Sequence, residues 1–148
     1  AEHCKLTELD RSAWDGLLWR CFLVPTIQVR DKLDVLVPGG SDDPRLFKDA
    51  KGRIVIIGPA LPVGKKISGH ERAKVEVFRG ALRPFVTTVN QELSDVLKSN
   101  IRVFLILPGS IDGKEPSHEN LVNTINYLMT DEKAISSSEV IFHPDETR

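Results

Sequence analysis

Three arginines in the middle of the chain have the side chains best suited to bind an anion. Arg72, Arg79 and Arg83 fall in or beside a predicted loop and a short predicted strand. A guanidinium group can hold a phosphate through paired hydrogen bonds, or stack on a nucleobase. The same charges can instead form a solvated cationic edge that keeps a strand from aggregating. Both interpretations stay open for this cluster, which also includes nearby lysines: Lys65, Lys66 and Lys74.

A second candidate is the turn Pro108-Gly109-Ser110, which directly follows a predicted buried strand. Open α/β sheets bind ligands outside the carboxyl ends of their strands, so this segment is either an ordinary turn or a ligand site, with Ser110 and the nearby Asp112 as candidate contacts. Gly39-Gly40-Ser41 follows a helix rather than a strand, and we interpret it as an ordinary turn. Neither turn belongs to a GxGxxG or GxxxxGK[ST] phosphate-binding pattern.

Two tryptophans, Trp14 and Trp19, lie on the first predicted helix. A tryptophan in such a position usually belongs to the core. An indole near a helix end at a dimer cleft would also suit stacking against a purine. Both roles remain open at the level of the sequence.

The sequence contains no arrangement that we recognise as catalytic or metal-binding. The serines form no GxSxG pattern, and the histidines form no HExxH pattern. Cys4 and Cys21 match no zinc spacing, and we interpret them as free thiols in a reducing compartment. We therefore predict a binding module without a cofactor rather than an enzyme.

The N-terminal segment predicts a long helix that is kinked at Pro25. Thr7 and Asp10 have the spacing of a capping box, and Pro38-Gly39-Gly40 ends the helix. Its apolar residues are too numerous for one narrow stripe, so the helix is either deeply buried or packed against a second copy. The apolar positions recur at helical intervals: Leu9, Ala13, Leu17, Cys21, Val24, Ile27, Val29, Leu33 and Leu36.

Helices and strands alternate along the rest of the chain. Two continuous apolar runs, at 53–57 and 101–107, are typical of strands buried on both faces in a parallel sheet. We predict a short helix at 44–49, a loop at 60–74, a short strand at 75–79, a helix at 84–100, a helix after Ser117 and a strand at 139–142. This order indicates an α/β domain with a mainly parallel central sheet covered by helices, preceded by the long kinked helix.

Composition limits the classes of function. The chain has 148 residues, of which 41% are hydrophobic and 28% charged, as expected for one globular domain over 1–148. A formal net charge of -1 offers no excess of cations to hold DNA or RNA. Since no apolar run is long enough to cross a bilayer, we predict a cytoplasmic location. The missing initiator methionine is compatible with a piece excised from a longer protein.

These elements resemble the cyclic-dinucleotide-binding domain of the STING family, most nearly its divergent bacterial members. That family opens with a dimerising helix in which a proline follows an aromatic residue by six positions, as Pro25 follows Trp19 here. RIVIIGP resembles its next strand, GHERAKVEVFRG its arginine-bearing lid, and VFLILPGS the strand and turn beside the base. The segment from SHENLVNTINYL to SSSEVIFHPDE resembles the family's final helix and strand.

The resemblance implies a homodimer, joined through the N-terminal helix, that binds cyclic di-GMP or a related 3′,3′-cyclic dinucleotide in its cleft. Trp19 would stack on a base, Arg72 or Arg79 would reach the phosphates, and Ser110 would lie beside the ligand. The signal would pass to an effector domain of the full-length protein in antiphage defence. The alternative hypothesis is a small Rossmann-like enzyme acting on a nucleotide or nucleotide sugar, with Ser110, Asp112 and Glu115 near its strand ends.

Overall fold

The computed structural model describes residues 10–61, 69–109 and 117–143, and for 69–71 it describes the backbone alone. The helices are α1 (Arg11–Leu18), α2 (Val24–Leu36), α3 (Gly69–Gln91) and α4 (His118–Thr130). The strands are β1 (Lys51–Ile57), β2 (Asn100–Pro108) and β3 (Val140–His143). Short 3-10 helices occupy Pro44–Asp49 and Glu132–Ser136, and π turns occupy Trp19–Leu23 and Glu92–Val96.

The predicted long N-terminal helix is confirmed, because α1, the first π turn and α2 follow one another without a break. Asp10 caps its start by accepting a hydrogen bond of 3.0 Å from the backbone N–H of Ser12. Pro25 has no N–H and its ring would crowd the carbonyl four residues earlier in a uniform α-helix. The wider π turn just before it, closed by the Val24 N–H on the Trp19 carbonyl, accommodates the proline.

The turn that ends α2 is an ordinary helix terminus, as predicted. Gly39 and Gly40 have φ angles of 90° and 93°, which side chains with a Cβ atom rarely adopt. Asp34 Oδ1 accepts hydrogen bonds from the backbone N–H (3.0 Å) and the hydroxyl (3.2 Å) of Ser41. The turn leads through the 3-10 helix into the start of β1.

The three strands form one parallel sheet in the order β1-β2-β3. Lys51 pairs with Asn100 and Ile57 with Ile106, whereas β3 joins β2 only from Leu105 onwards. Side chains alternate between two apolar layers, as in any strand buried on both faces. The α2 and α3 layer contains Ile54, Ile56, Ile101, Val103, Leu105 and Leu107, and the α4 layer contains Val55, Phe104, Ile106 and Ile141.

The two helical connections within the sheet lie on opposite faces. From α3, Leu82 and Val86 pack on the first layer, whereas Leu121 and Leu128 of α4 pack on the second. Each connection leads to the next strand on the same side, from β1 to β2 and from β2 to β3. They must therefore have opposite hands, and one of them is the rare left-handed crossover.

The structure corrects the prediction for residues 69–91. The predicted loop at 60–74 ends by Gly69, the predicted strand at 75–79 is wrong, and Pro84 lies inside α3 rather than in a first turn. The alternation of Val75 and Val77 suggested a strand, but the segment instead buries a face at helical spacing. That face packs on β2 through Leu82, Val86 and, in the following π turn, Leu93, and Phe78 is buried at the same helical spacing.

Asn90 of α3 completes the hydrogen bonding of β2 where β3 does not reach. Its Nδ2 donates to the Val103 carbonyl and its Oδ1 accepts from the Val103 N–H, both at 2.8 Å. Nδ2 also donates to Glu139 Oε2 at 2.8 Å, and Glu139 Oε1 accepts from the Thr87 hydroxyl at 2.8 Å. One side-chain amide therefore takes the place of a strand and ties α3 to the residue before β3.

Strand β1 is covered like an inner strand although it lies at the edge of the sheet. Helix α2 packs on one of its faces and α4 on the other, where Arg53 Nη1 donates to the Leu128 carbonyl at 2.9 Å. A groove of about 550 Å³ separates α2 from the outer side of the strand between Ile54 and Ile57. In the ranges that the structure describes, no helix is both long and apolar enough to span a membrane.

Candidate functional site

The carboxyl ends of β1 and β2 are the point in the sheet where the two connections part. The chain leaves β1 for α3 on one face and leaves β2 for α4 on the other. Adjacent parallel strands whose connections leave to opposite faces open a gap between them, and ligands of open α/β sheets bind at such points. Pro59 follows β1 at this gap and Gly109 follows β2. We call the gap between these two residues the carboxyl crevice.

Backbone hydrogen bonds hold the floor of the carboxyl crevice. The Gly58 N–H donates to the Ile106 carbonyl at 2.8 Å, and the Leu61 N–H donates to the Pro108 carbonyl at 3.4 Å. On the far side of β2, the Gly109 N–H donates to the His143 carbonyl at 2.6 Å. A Cβ atom on Gly58 would lie 2.7 Å from Leu107 Cδ2, so this position accepts only glycine without rearrangement. The ends of all three strands are therefore fixed relative to one another.

Arg79 brings a buried positive charge to this floor. The residue is only 3% exposed, and its Nη1 donates to the carbonyl of Pro59 at 3.0 Å and to that of Pro108. These two carbonyls belong to the two sides of the carboxyl crevice, so the guanidinium group bridges it. The Nε of Arg79 lies 3.8 Å from Glu76 Oε1, on a side chain that is 50% exposed.

Two helices begin at the same edge of the sheet. Helices α3 and α4 run back from the carboxyl ends of the strands to the amino ends, so their N-terminal halves face the carboxyl edge. Ser117 caps α4 by accepting a hydrogen bond of 3.4 Å from the Asn120 N–H. The N-terminus of a helix carries a partial positive charge and unpaired N–H groups, which favour an anion nearby.

The end of β3 adds aromatic and imidazole groups beside this edge. The guanidinium of Arg83 lies over the Phe142 ring, 5.3 Å from its centroid. His143 Nδ1 lies 3.5 Å from the hydroxyl of Thr124 on α4. These contacts fasten the helices on both faces of the sheet to its last strand.

The structure brings together only part of the predicted site. Arg79 and the turn after β2 meet at the carboxyl crevice, but Arg79 is buried in α3 and does not lie on an open lid strand. Arg72 is exposed in α3, and Arg83 is engaged with Phe142. Ser110 and Asp112, like Glu115, lie outside the described residues.

Trp14 and Trp19 have different environments on the N-terminal helix. The ring centroids of Trp14 and Phe78 are 6.1 Å apart, which places Trp14 in the contact between α1 and α3. Trp19 lies in the π turn and is 54% exposed. Trp14 is therefore partly buried between two helices, whereas Trp19 is accessible.

Sequence reasoning missed Glu76 and Thr124 as neighbours of the carboxyl edge. Glu76 and Arg79 meet because they are three positions apart on a helix, and the predicted strand would have placed them on opposite faces. Recognising the helical spacing of Phe78, Leu82 and Val86 would have revealed this pair. Thr124 has no such local signal, because its partner His143 belongs to another element.

Two other grooves lie away from the carboxyl edge. One is the groove beside β1, and the other, of about 1160 Å³, lies at the amino ends of β1 and β2. Its two arginines are used in the fold, since Arg53 donates to the carbonyls of Leu128 and Asp131 and Arg102 donates to the Ser137 carbonyl at 2.6 Å. Over 10–61, 69–109 and 117–143 there is no cluster of three side chains suited to a metal ion.

The chain was compared with protein-family models, with curated proteins and with solved structures. No family model matches it, and neither the curated proteins nor the solved structures gave a match. The function proposed for this chain therefore rests on the geometry of the carboxyl edge.

Proposed function

We propose that this chain is a nucleotide-binding module whose ligand places a phosphate at the carboxyl crevice. The observation that carries the proposal is the parting of the connections after β1 and β2, one to each face of the sheet. Ligands of open α/β sheets bind at the carboxyl edge where neighbouring connections diverge in this way.

The groups around the crevice favour an anionic ligand. Arg79 supplies a charge in a region shielded from water, where electrostatic attraction is stronger than at the surface. The N-terminal halves of α3 and α4 add partial positive charges. A phosphate combines the charge and the acceptor oxygens that such groups bind best, and nucleotides are the common phosphate carriers recognised by parallel α/β sheets.

The test is a binding screen by calorimetry and thermal denaturation with ADP, NAD, ADP-ribose and cyclic di-GMP. A ligand that binds the folded chain and is present at about 100 times its Kd raises the free energy of unfolding by about 2.7 kcal/mol. We expect at least one nucleotide to bind, and the Arg79→Met variant to lose at least tenfold in affinity (about 1.4 kcal/mol).

Arg30→Met is the matched control, since Arg30 is exposed on α2. We expect it to bind as the wild type does. If Arg79→Met binds with the wild-type affinity, the ligand does not bind at the carboxyl crevice. If none of the four nucleotides binds, the proposed function is overturned. The same samples report whether NAD or ADP-ribose is consumed, which would make the chain an enzyme acting on nucleotides.

A second candidate function is the cyclic dinucleotide sensor, in which two copies meet along their N-terminal helices and signal to an effector. It is favoured by exposed apolar side chains in the first π turn, Trp19–Leu23, and at the end of α1 just before it. Trp19 is 54% exposed there, Leu18 41% and Leu23 37%. Such residues are typical of a surface that another molecule covers.

The sensor proposal predicts a dimer in solution that cyclic di-GMP stabilises. Light scattering coupled to size exclusion measures the mass, and Trp19→Ala should lower both dimerisation and the affinity for cyclic di-GMP. Val96→Ala is the control, because Val96 is 73% exposed in the second π turn, outside the N-terminal helix. A monomer at concentrations up to about 100 µM, with no response to cyclic di-GMP, would exclude this second function.

A further inference from the structure

The contact between Glu76 and Arg79 has an asymmetry that suggests a role. Arg79 is held inside by backbone carbonyls, whereas the Glu76 side chain that faces it is half exposed. The separation of 3.8 Å between Glu76 Oε1 and Arg79 Nε is longer than a good charge-assisted hydrogen bond. An exposed carboxylate at this distance is weakly held and free to exchange with another anion.

We propose that Glu76 occupies the position of the ligand's phosphate on Arg79 and is displaced when the ligand binds. This inference rests on the proposed function, because it concerns the same crevice. The Nη1 bonds to Pro59 and Pro108 remain in place, so the guanidinium does not move. Glu76 swings into solvent, and a phosphate oxygen takes its place beside Nε.

The charge of its phosphate decides how well a ligand competes with Glu76 for Arg79. The Glu76 carboxylate carries one negative charge, and an internal phosphodiester also carries one per phosphate, so replacing the first by the second gains little. A terminal phosphate carries about 1.5 to 2 negative charges at pH 7 and competes better for the same cation. The preferred ligand class is therefore a nucleotide with a terminal phosphate rather than a cyclic diester.

Removal of the competing carboxylate should strengthen binding. We expect Glu76→Gln to bind ADP about three- to tenfold more tightly than the wild type, because the ligand no longer displaces a paired anion. The ratio of the affinities for ADP and cyclic di-GMP should stay the same in this variant, because displacing Glu76 from Arg79 costs the same free energy whichever ligand does it.

The experiment measures the affinities of the wild type, Glu76→Gln and Glu76→Ala for ADP and cyclic di-GMP by calorimetry. Glu92→Gln is the matched control: it removes the same charge from an exposed position beyond the other end of α3. Tighter binding by both Glu76 variants, with Glu92→Gln at the wild-type value, supports the inference.

The two proposals fail in different ways. A wild type that binds none of the four nucleotides of the screen overturns the proposed function and this inference with it, and one that binds another of them but not ADP overturns this inference alone. A wild type that binds ADP, with Glu76 variants of equal or lower affinity, overturns the role of Glu76 and leaves the crevice intact. Equal gains in Glu76→Gln and Glu92→Gln would show a general charge effect and would also overturn the inference.

Discussion

Two polar side chains in this molecule, those of Arg79 and Asn90, bind backbone groups of the strands and of the segment that follows β1. Arg79 bridges the carbonyls that follow β1 and β2, and the amide of Asn90 pairs with both polar groups of Val103. Buried donors and acceptors of this kind are costly when they lose their partner. Such residues therefore constrain the sheet more strongly than their single hydrogen bonds suggest.

Asn90→Asp should lower the free energy of unfolding by about 2–4 kcal/mol. The change replaces a donor by a carboxylate oxygen, which then faces the Val103 carbonyl and the Glu139 carboxylate at hydrogen-bond distance. Urea denaturation at pH 7 measures the loss. Asn123→Asp on the exposed side of α4 is the control, and we expect it to change stability by less than about 0.5 kcal/mol. Equal effects of the two variants would contradict the role of Asn90.

At the scale of single residues, the sequence identified Arg79 but not its environment. A guanidinium near a buried strand suggested an anion site, and it could not indicate that two backbone carbonyls would bury the group. Trp19 was identified as a stacking candidate, and the structure shows it exposed. Long-range contacts such as Arg79 with Pro108 depend on the packing of the whole sheet, which no local pattern contains.

The elements differ in how clearly their sequences specify them. Strands β1 and β2 were predicted to within a residue or two, because continuous β-branched runs ended by glycine or proline have few alternatives. Helix α3 was mistaken for a loop, a short strand and a shorter helix. Gly80 and Pro84 lower its intrinsic helix propensity, and packing of its apolar face against β2 outweighs that cost.

Gly80→Ala should raise the free energy of unfolding by about 0.5–1 kcal/mol. The position is helical and exposed, and a Cβ atom there would have no neighbour within 4 Å. Chemical denaturation compares it with Gly58→Ala, which should lower stability because its Cβ would lie 2.7 Å from Leu107 Cδ2. A destabilised Gly80→Ala variant would mean that α3 does not contain this residue in solution.

Within the described residues, β1 has both faces covered but has no strand on the side away from β2. Both faces of β1 are packed, and Ile57 at its carboxyl end is 49% exposed beside the groove under α2. Natural sheets usually protect such an edge with charge, proline or a bulge. The stretch from Ile54 to Ile57 has none of these, so the edge can pair with another extended chain.

Ile57→Lys should lower the tendency of the protein to aggregate and leave its fold intact. The lysine places a charge at the free edge, where a second strand would have to bury it. Static light scattering during slow heating measures the onset of aggregation, and circular dichroism checks the fold. Val96→Lys is the control, since Val96 is 73% exposed in the second π turn, outside the sheet. If both variants delay aggregation equally, the edge of β1 is not the origin.

The parallel pairing of β1 with β2 also governs how the chain reaches this structure. Each paired residue finds a partner 49 positions later along the chain, as Lys51 does with Asn100. The entropy of closing so long a segment is lost before the contacts that reward it can form, which slows the search for the native topology. Newly made chains therefore spend an appreciable time with IRVFLIL uncovered, the stage at which a chaperone would protect them best.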